Sequence, residues 1–192
     1  MKRFLVSSLC LVLSLVACSA TFNWREVRVD EQHFSALFPS KTSAEQQNIR
    51  YLDKTLTMTM VAATADDSLF AVGNMPFNPK EINGDDLMQW MKANTAKLIQ
   101  TKGEPTPVTT AIKSAANPPE SLSMSGYNLE GVGPDGNYRI YWVRWMIRTD
   151  NSGHSSVFQL SALRPFKKTP VQSDQEQTTE QFETFLGGFH PY

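Results

Sequence analysis

The chain has 192 residues, with 18 lysines and arginines against 19 aspartates and glutamates, three histidines and two cysteines. At 41% hydrophobic and 19% charged, it is one domain's worth of chain and is neither a disordered polyampholyte nor a bundle of membrane spans. A net charge of −1 lacks the basic surplus a nucleic-acid binder needs, and two cysteines are too few for a disulfide-stapled scaffold or a four-thiolate zinc site.

The first elements are targeting signals. Lys2 and Arg3 precede an apolar run over residues 4–17, interrupted by Ser7, Ser8 and Ser14. Fourteen residues of helix span about 21 Å, short of the roughly 30 Å hydrocarbon core, so residues 1–17 read as a signal peptide rather than a membrane span. Leu15-Val16-Ala17-Cys18-Ser19 then resembles the lipobox of bacterial lipoproteins. That resemblance implies a diacylglyceryl group on the Cys18 thiol, cleavage before Cys18 and acylation of the new α-amine. Ordinary signal cleavage after Ala20 is the alternative, with Cys18-Ser19-Ala20 as a small-x-small site.

Under the lipoprotein reading Cys10 leaves with the signal and Cys18 becomes a thioether, so no thiol remains to form a disulfide. The mature chain keeps 16 basic and 19 acidic residues, a net charge of −3. Two or three acyl chains hold a protein on a membrane where one is marginal. Ser19 resembles the sorting residue of lipoproteins sent to the outer membrane of a two-membrane bacterium. Residues 18–23 then form the lipidated N-terminus and a short tether, and 24–192 form a single α+β domain.

Residues 25–29 and 33–38 read as short strands around the polar turn Asp30-Glu31-Gln32, the second ended by Pro39. Residues 54–62 alternate strictly, with Leu56, Met58, Met60 and Ala62 expected on one buried face and Thr55, Thr57 and Thr59 on the other. An Asp66-Asp67-Ser68 turn leads to a hairpin partner at 69–73. From about residue 84 to 100 the period becomes helical, with Leu87, Trp90, Met91 and Leu98 on one side. Trp90 is expected to be its largest buried group, and Asp85 and Asp86 favour its N-terminus.

Four prolines mark residues 101–119 as a connection with one edge strand at 108–113. Strands at 121–131, 138–148 and 157–164 follow as an antiparallel meander, joined by Gly-, Pro- and Asn-containing turns. The last helix is expected to start in a Ser173/Glu176 capping box, bury Phe182, Phe185, Leu186 and Phe189, and stop at Gly187-Gly188. The fold class is therefore α+β: an antiparallel sheet of six to seven strands with a central and a C-terminal helix packed on it.

Phe34-x-x-x-Phe38-Pro39, the central helix, the late meander and the closing Phe185-Leu186-Gly187-Gly188-Phe189 together resemble small bacterial lipoproteins of the PsbP-like α/β/α sandwich group. The resemblance covers most of the mature chain in element order. It implies helices packed on an antiparallel sheet and a binding or assembly role.

No catalytic pattern emerges along the chain. His33, His154 and His190 form no i, i+4 pair for a metal, and Ser123-Met124-Ser125-Gly126 is not a nucleophile elbow. The glycine-containing stretch 131–136 is a hairpin loop that opens no helix, so it lacks the geometry of a phosphate cradle. No catalytic residue, metal ligand or cofactor is assigned.

One segment, 138–148, is unusual. Tyr141, Val143, Trp145 and Ile147 share a core face, whereas Tyr138, Trp142, Arg144 and Arg148 join Ile140 and Met146 on the other. Aromatic side chains beside arginine favour interfaces, so these four are the candidate interface residues. The competing expectation is that a helix covers this face, with the arginine stems packed over it and their heads in water. Two functions follow as expectations. The first is a non-enzymatic envelope lipoprotein that binds an unidentified envelope protein or supports assembly. The second is a periplasmic enzyme or small-ligand carrier whose site is assembled from distant residues.

Overall fold

The computed structural model describes residues 22–192 apart from 96, 98, 99, 102–104, 106, 151 and 152. The signal peptide, Cys18 and Leu98 lie outside the described residues. The fold is α+β. Strands β3 (Ser43–Tyr51), β4 (Lys54–Ala65), β5 (Ser68–Phe77), β6 (Gln100–Thr101), β7 (Pro107–Lys113), β8 (Ser121–Val132), β9 (Tyr138–Thr149) and β10 (Ser155–Phe166) form an antiparallel sheet. Its order is β3-β4-β5-β10-β9-β8-β6, and β7 also pairs with β8. Strands β1 (Arg25–Val29), β2 (Phe34–Phe38) and β11 (His190–Pro191) form a separate three-stranded sheet. Helix α1 (Gly84–Thr95) lies on one face of the large sheet, and α2 (Gln172–Gly187) lies with the small sheet on the other. No helix among the described residues is long and apolar enough to cross a membrane.

Two hydrophobic clusters fill these layers. Leu87 and Met91 of α1 pack with Leu56, Met58, Met75, Leu129, Val143 and Trp145. Phe182, Phe185 and Leu186 of α2 pack with Phe34, Phe38, Val61, Phe70, Val72, Met124 and Leu160. The clusters cover opposite diagonals of the sheet. The α1 cluster takes the first half of β4 and the second half of β8, and the α2 cluster takes the other halves. The central β5, β9 and β10 are covered on both faces along much of their length.

This diagonal corrects one expectation. Strand β4 does not bury a single face: Leu56 and Met58 are buried toward α1, Met60 and Ala62 are half-buried, and Val61 and Ala63 are buried on the opposite side. A further correction concerns Trp90, which is half-buried at the edge of α1, edge-on to Tyr51 at 5.5 Å; Leu87 fills the interior position. The N-terminus of α1 is capped by Asn83, whose Oδ1 accepts from the Asp85 and Asp86 N–H groups at 2.9 and 3.2 Å.

Helix α2 starts one residue before Ser173. The Val171 carbonyl accepts from the Asp174 and Gln175 N–H groups, and Ser173 sits inside the first turn, so the expected capping box does not form. At its other end Gly188 serves close approach rather than a left-handed turn. Its φ is −86°, and a Cβ there would lie 2.6 Å from Leu37 of β2. Strand β3, absent from the sequence expectations, is exposed at every position from Ser43 to Asn48 and carries no apolar alternation. Its pairing with β4 holds it in place.

Candidate functional site

On the α2 face the covering layer leaves bare the end of the sheet formed by the start of β4, the end of β5 and the start of β10. A groove of about 410 Å³ lies there. Its floor is Asn74 and Pro76 of β5 with Ser156 and Phe158 of β10; Arg148 of β9 bounds one side, and Thr57, Thr59 and Gln46 the other. Glu31, Gln32, His33 and Tyr192 overhang it, and Asp150 and His154 stand at its mouth.

Fixed contacts hold the overhang. The buried Asn74 donates its Nδ2 to the Gln32 carbonyl at 3.0 Å. His33 takes a left-handed φ of 57°, ending the turn before β2 rather than belonging to the strand. Its carbonyl accepts from the Tyr192 N–H at 2.9 Å. The Tyr192 hydroxyl donates to Asp30 Oδ1 at 2.7 Å, and the Arg28 guanidinium lies 4.4 Å from the Tyr192 ring centre. Arg28 also bonds Asp30, and this contact, with the Tyr192 hydroxyl, holds the Asp30 carboxyl below its ordinary range. The C-terminal residue thus pins the roof of the groove.

The groove gathers residues that no local motif links. His33 and His154, far apart in sequence, line the same hollow with Glu31 and Asp150. His154 Nδ1 lies 3.5 Å from Asp150 Oδ2, but its side chain is 81% exposed, so the ring stands in solvent. Among the described residues no three His, Cys, Asp or Glu side chains are placed to hold a metal ion. What the walls offer is hydrogen bonding: hydroxyls from Thr57 and Thr59, amides from Gln46 and Asn74, and a guanidinium from Arg148.

The four candidate interface residues separate. Arg144 is 3% exposed and enclosed. Its Nε donates to Thr110 Oγ1 at 2.7 Å, its Nη1 to the Tyr127 and Val143 carbonyls at 2.8 and 3.0 Å, and its Nη2 to Asn128 Oδ1 at 2.7 Å. Burial pushes its pKa down to about 10, which leaves it charged at neutral pH. Trp142 packs edge-on against Phe182 of α2 at 5.6 Å. Tyr138 is half-buried and donates to Glu130 Oε2 at 3.3 Å. Helix α2 thus packs on the half-buried Trp142, whereas the Arg144 head is enclosed by groups of β7, β8 and β9 instead of standing in water, so the covering expectation holds for the face and fails for that arginine head.

Arg148 alone of the four reaches the groove. Its Nη1 contacts Glu120 Oε2 at 3.3 Å, and its buried Nε has no partner among the described residues. Strand alternation could identify Arg148 as a side chain on this face. The groove itself has no sequence signal, because seven separate segments supply its lining. Compared with known proteins, the chain matches no family model, and no match was found among curated proteins or among solved structures.

Proposed function

We propose that this chain is a lipid-anchored lipoprotein of the bacterial envelope that acts by binding a protein partner, with the groove beneath the Glu31-Gln32-His33 turn as its contact region. The observation that carries the reading is the groove itself: an open, hydrogen-bonding trough under a roof pinned by Asn74 and Tyr192. Its width across five strands suits an extended polypeptide, whose amides the Thr57, Thr59, Gln46 and Arg148 side chains can satisfy. The lipobox and Ser19 support a place on the periplasmic side of the outer membrane. Helices on opposite faces of an antiparallel sheet support the likeness to the PsbP-like group.

A photo-crosslinking residue at Thr59, in the lipidated protein in intact envelopes, tests the reading. The expected result is a discrete adduct that disappears when Thr57→Lys fills the trough. Absence of any adduct overturns it. A second reading, a small-ligand carrier or enzyme, is favoured by one feature, the assembly of His33, His154, Glu31 and Asp150 around the same hollow. A low-molecular-mass compound retained by the purified protein and lost on Thr57→Lys would select it.

A further inference from the structure

Strand β3 forms one margin of the large sheet, and no described strand pairs with its outer side. The hairpin to β4 has two loop residues, so Tyr51 and Lys54 make the hydrogen-bonded pair beside the turn, and the register runs without a bulge to Ser43 opposite Ala62. Alternation then points the backbone N–H and C=O groups of Tyr51, Ile49, Gln47 and Glu45 toward β4. Those of Arg50, Asn48, Gln46 and Ala44 point outward. Sheets ordinarily blunt such a margin with proline, charged side chains, a bulge or a short strand; over nine residues β3 has no proline, lysine or bulge, and its two charges, Glu45 and Arg50, lie toward its ends. The opposite margin is defended. Strand β7 begins at Pro107 and ends at Lys113, whose carbonyl is held by His190 Nδ1 at 2.9 Å, while the Ala115 N–H bonds the Pro191 carbonyl.

We infer that β3 is a pairing edge and that its occupant is β3 of a second copy of this chain, antiparallel about a two-fold axis perpendicular to the sheet. The outward row of amide donors and acceptors fits only an extended backbone, and the side chains identify which one. Such an axis sets the residue at its centre opposite its own copy, where a charged side chain would meet its like. The centre of β3 is Gln46-Gln47-Asn48, three amides that can each donate to and accept from their mates. With the axis at Gln47, Glu45 faces Ile49 and Arg50 faces Ala44 of the second copy, so no like charges oppose. The contact consumes the β3 edge of each copy and closes as a dimer. It does not depend on the anchor, and of the groove's lining it uses Gln46 alone.

The test is oxidative crosslinking of the full-length chain in membranes, with Gln47→Cys and Asn48→Cys as separate variants and Lys167→Cys, on the β10–α2 connection, as control. A disulfide-linked dimer of twice the chain's mass is expected from at least one of the first two and not from the control. The yield should fall at least tenfold when Gln46→Pro is added, because that N–H points away from β4. Should Gln46→Pro disturb folding, Gln47→Lys combined with the Asn48→Cys variant serves instead, placing like charges about the axis through an exposed side chain. No dimer from either site overturns the inference. So does a dimer that persists through both blocking changes, equal crosslinking at the control, or an adduct with a different protein.

Discussion

Arg144 carries its charge inside the protein without a carboxylate: each of its hydrogen bonds goes to a hydroxyl, an amide oxygen or a backbone carbonyl, and its guanidinium lies 5.7 Å from the Trp142 ring centre. Five N–H donors in a rigid fork let one side chain satisfy acceptors from β7, β8 and β9 together. Reversing the charge by Arg144→Glu would set a carboxylate against four oxygen acceptors, and stability is expected to fall by about 3–5 kcal/mol. Arg144→Lys should fall between, since an ammonium cannot span the set. Circular dichroism melting decides it, and an unshifted midpoint for Arg144→Glu would show that the side chain is free. Alternation assigns Arg144 to the face away from Trp145; it cannot show that Thr110 and Asn128 converge on it, because those contacts cross strands.

Tyr141 supplies a pH dependence. Burial pushes its phenol up from the ordinary 10 to about 12, against a smaller opposing effect from the Ser161 hydrogen bond. Between those two values the folded protein keeps a proton that the unfolded chain has lost, so stability is complete below pH 10 and declines as the pH rises toward 12. Tyr141→Phe should flatten that alkaline decline by on the order of 2 kcal/mol, read from urea midpoints across the window. An identical pH profile in the variant would refute the assignment.

Elements with strong periodicity were legible, and those held by neighbours were not. The meander β8–β9–β10 and helix α1 follow from alternation and helical spacing, and the strand at 54–62 was found although its two ends bury opposite faces. That reversal arises from how the covering layers cross the sheet. Strand β3 was missed for a related reason, having no buried face to pattern. Its hairpin holds a local conflict: Leu52, 75% exposed, takes a φ of 54° where glycine is the natural occupant. Leu52→Gly removes that strain and gives up almost no packing, so a gain of up to about 1 kcal/mol is expected after the added flexibility of the unfolded chain is subtracted. A lower melting midpoint would mean the leucine packs where the structure shows it exposed. The next hairpin needs no such repair, because Asp66 and Asp67 both tolerate positive φ, at 48° and 59°, in the manner of a type I′ turn.

At the scale of the whole molecule, the N-terminal aromatic pair would relate the groove to the membrane under the proposed lipid anchor. Phe22 stacks on Trp24 at 5.7 Å and lies edge-on to Phe70 at 6.2 Å, so the start of the described chain is fixed near the β4–β5 turn. Cys18 lies four residues upstream, within roughly 14 Å along the chain. Strand β5 runs from that turn toward the opposite end for ten residues, roughly 30 Å, reaching the groove at Asn74 and Pro76 on the way. Under the proposed anchor, an acylated Cys18 would hold the Asp67 turn near the headgroups and turn the groove and the Asp53 turn away from them. Two measurements test this in sequence. Cys18→Ala should abolish fatty-acid labelling, leaving the precursor uncut or the product soluble, and label retained there would refute the anchor. With the anchor intact, a fluorophore at Asp67→Cys should be strongly quenched by spin-labelled lipid headgroups while one at Asp53→Cys is not, because quenching fades over about one strand length. Equal quenching at both turns would mean that the domain lies flat on the membrane, and the reverse order would mean that the groove faces it.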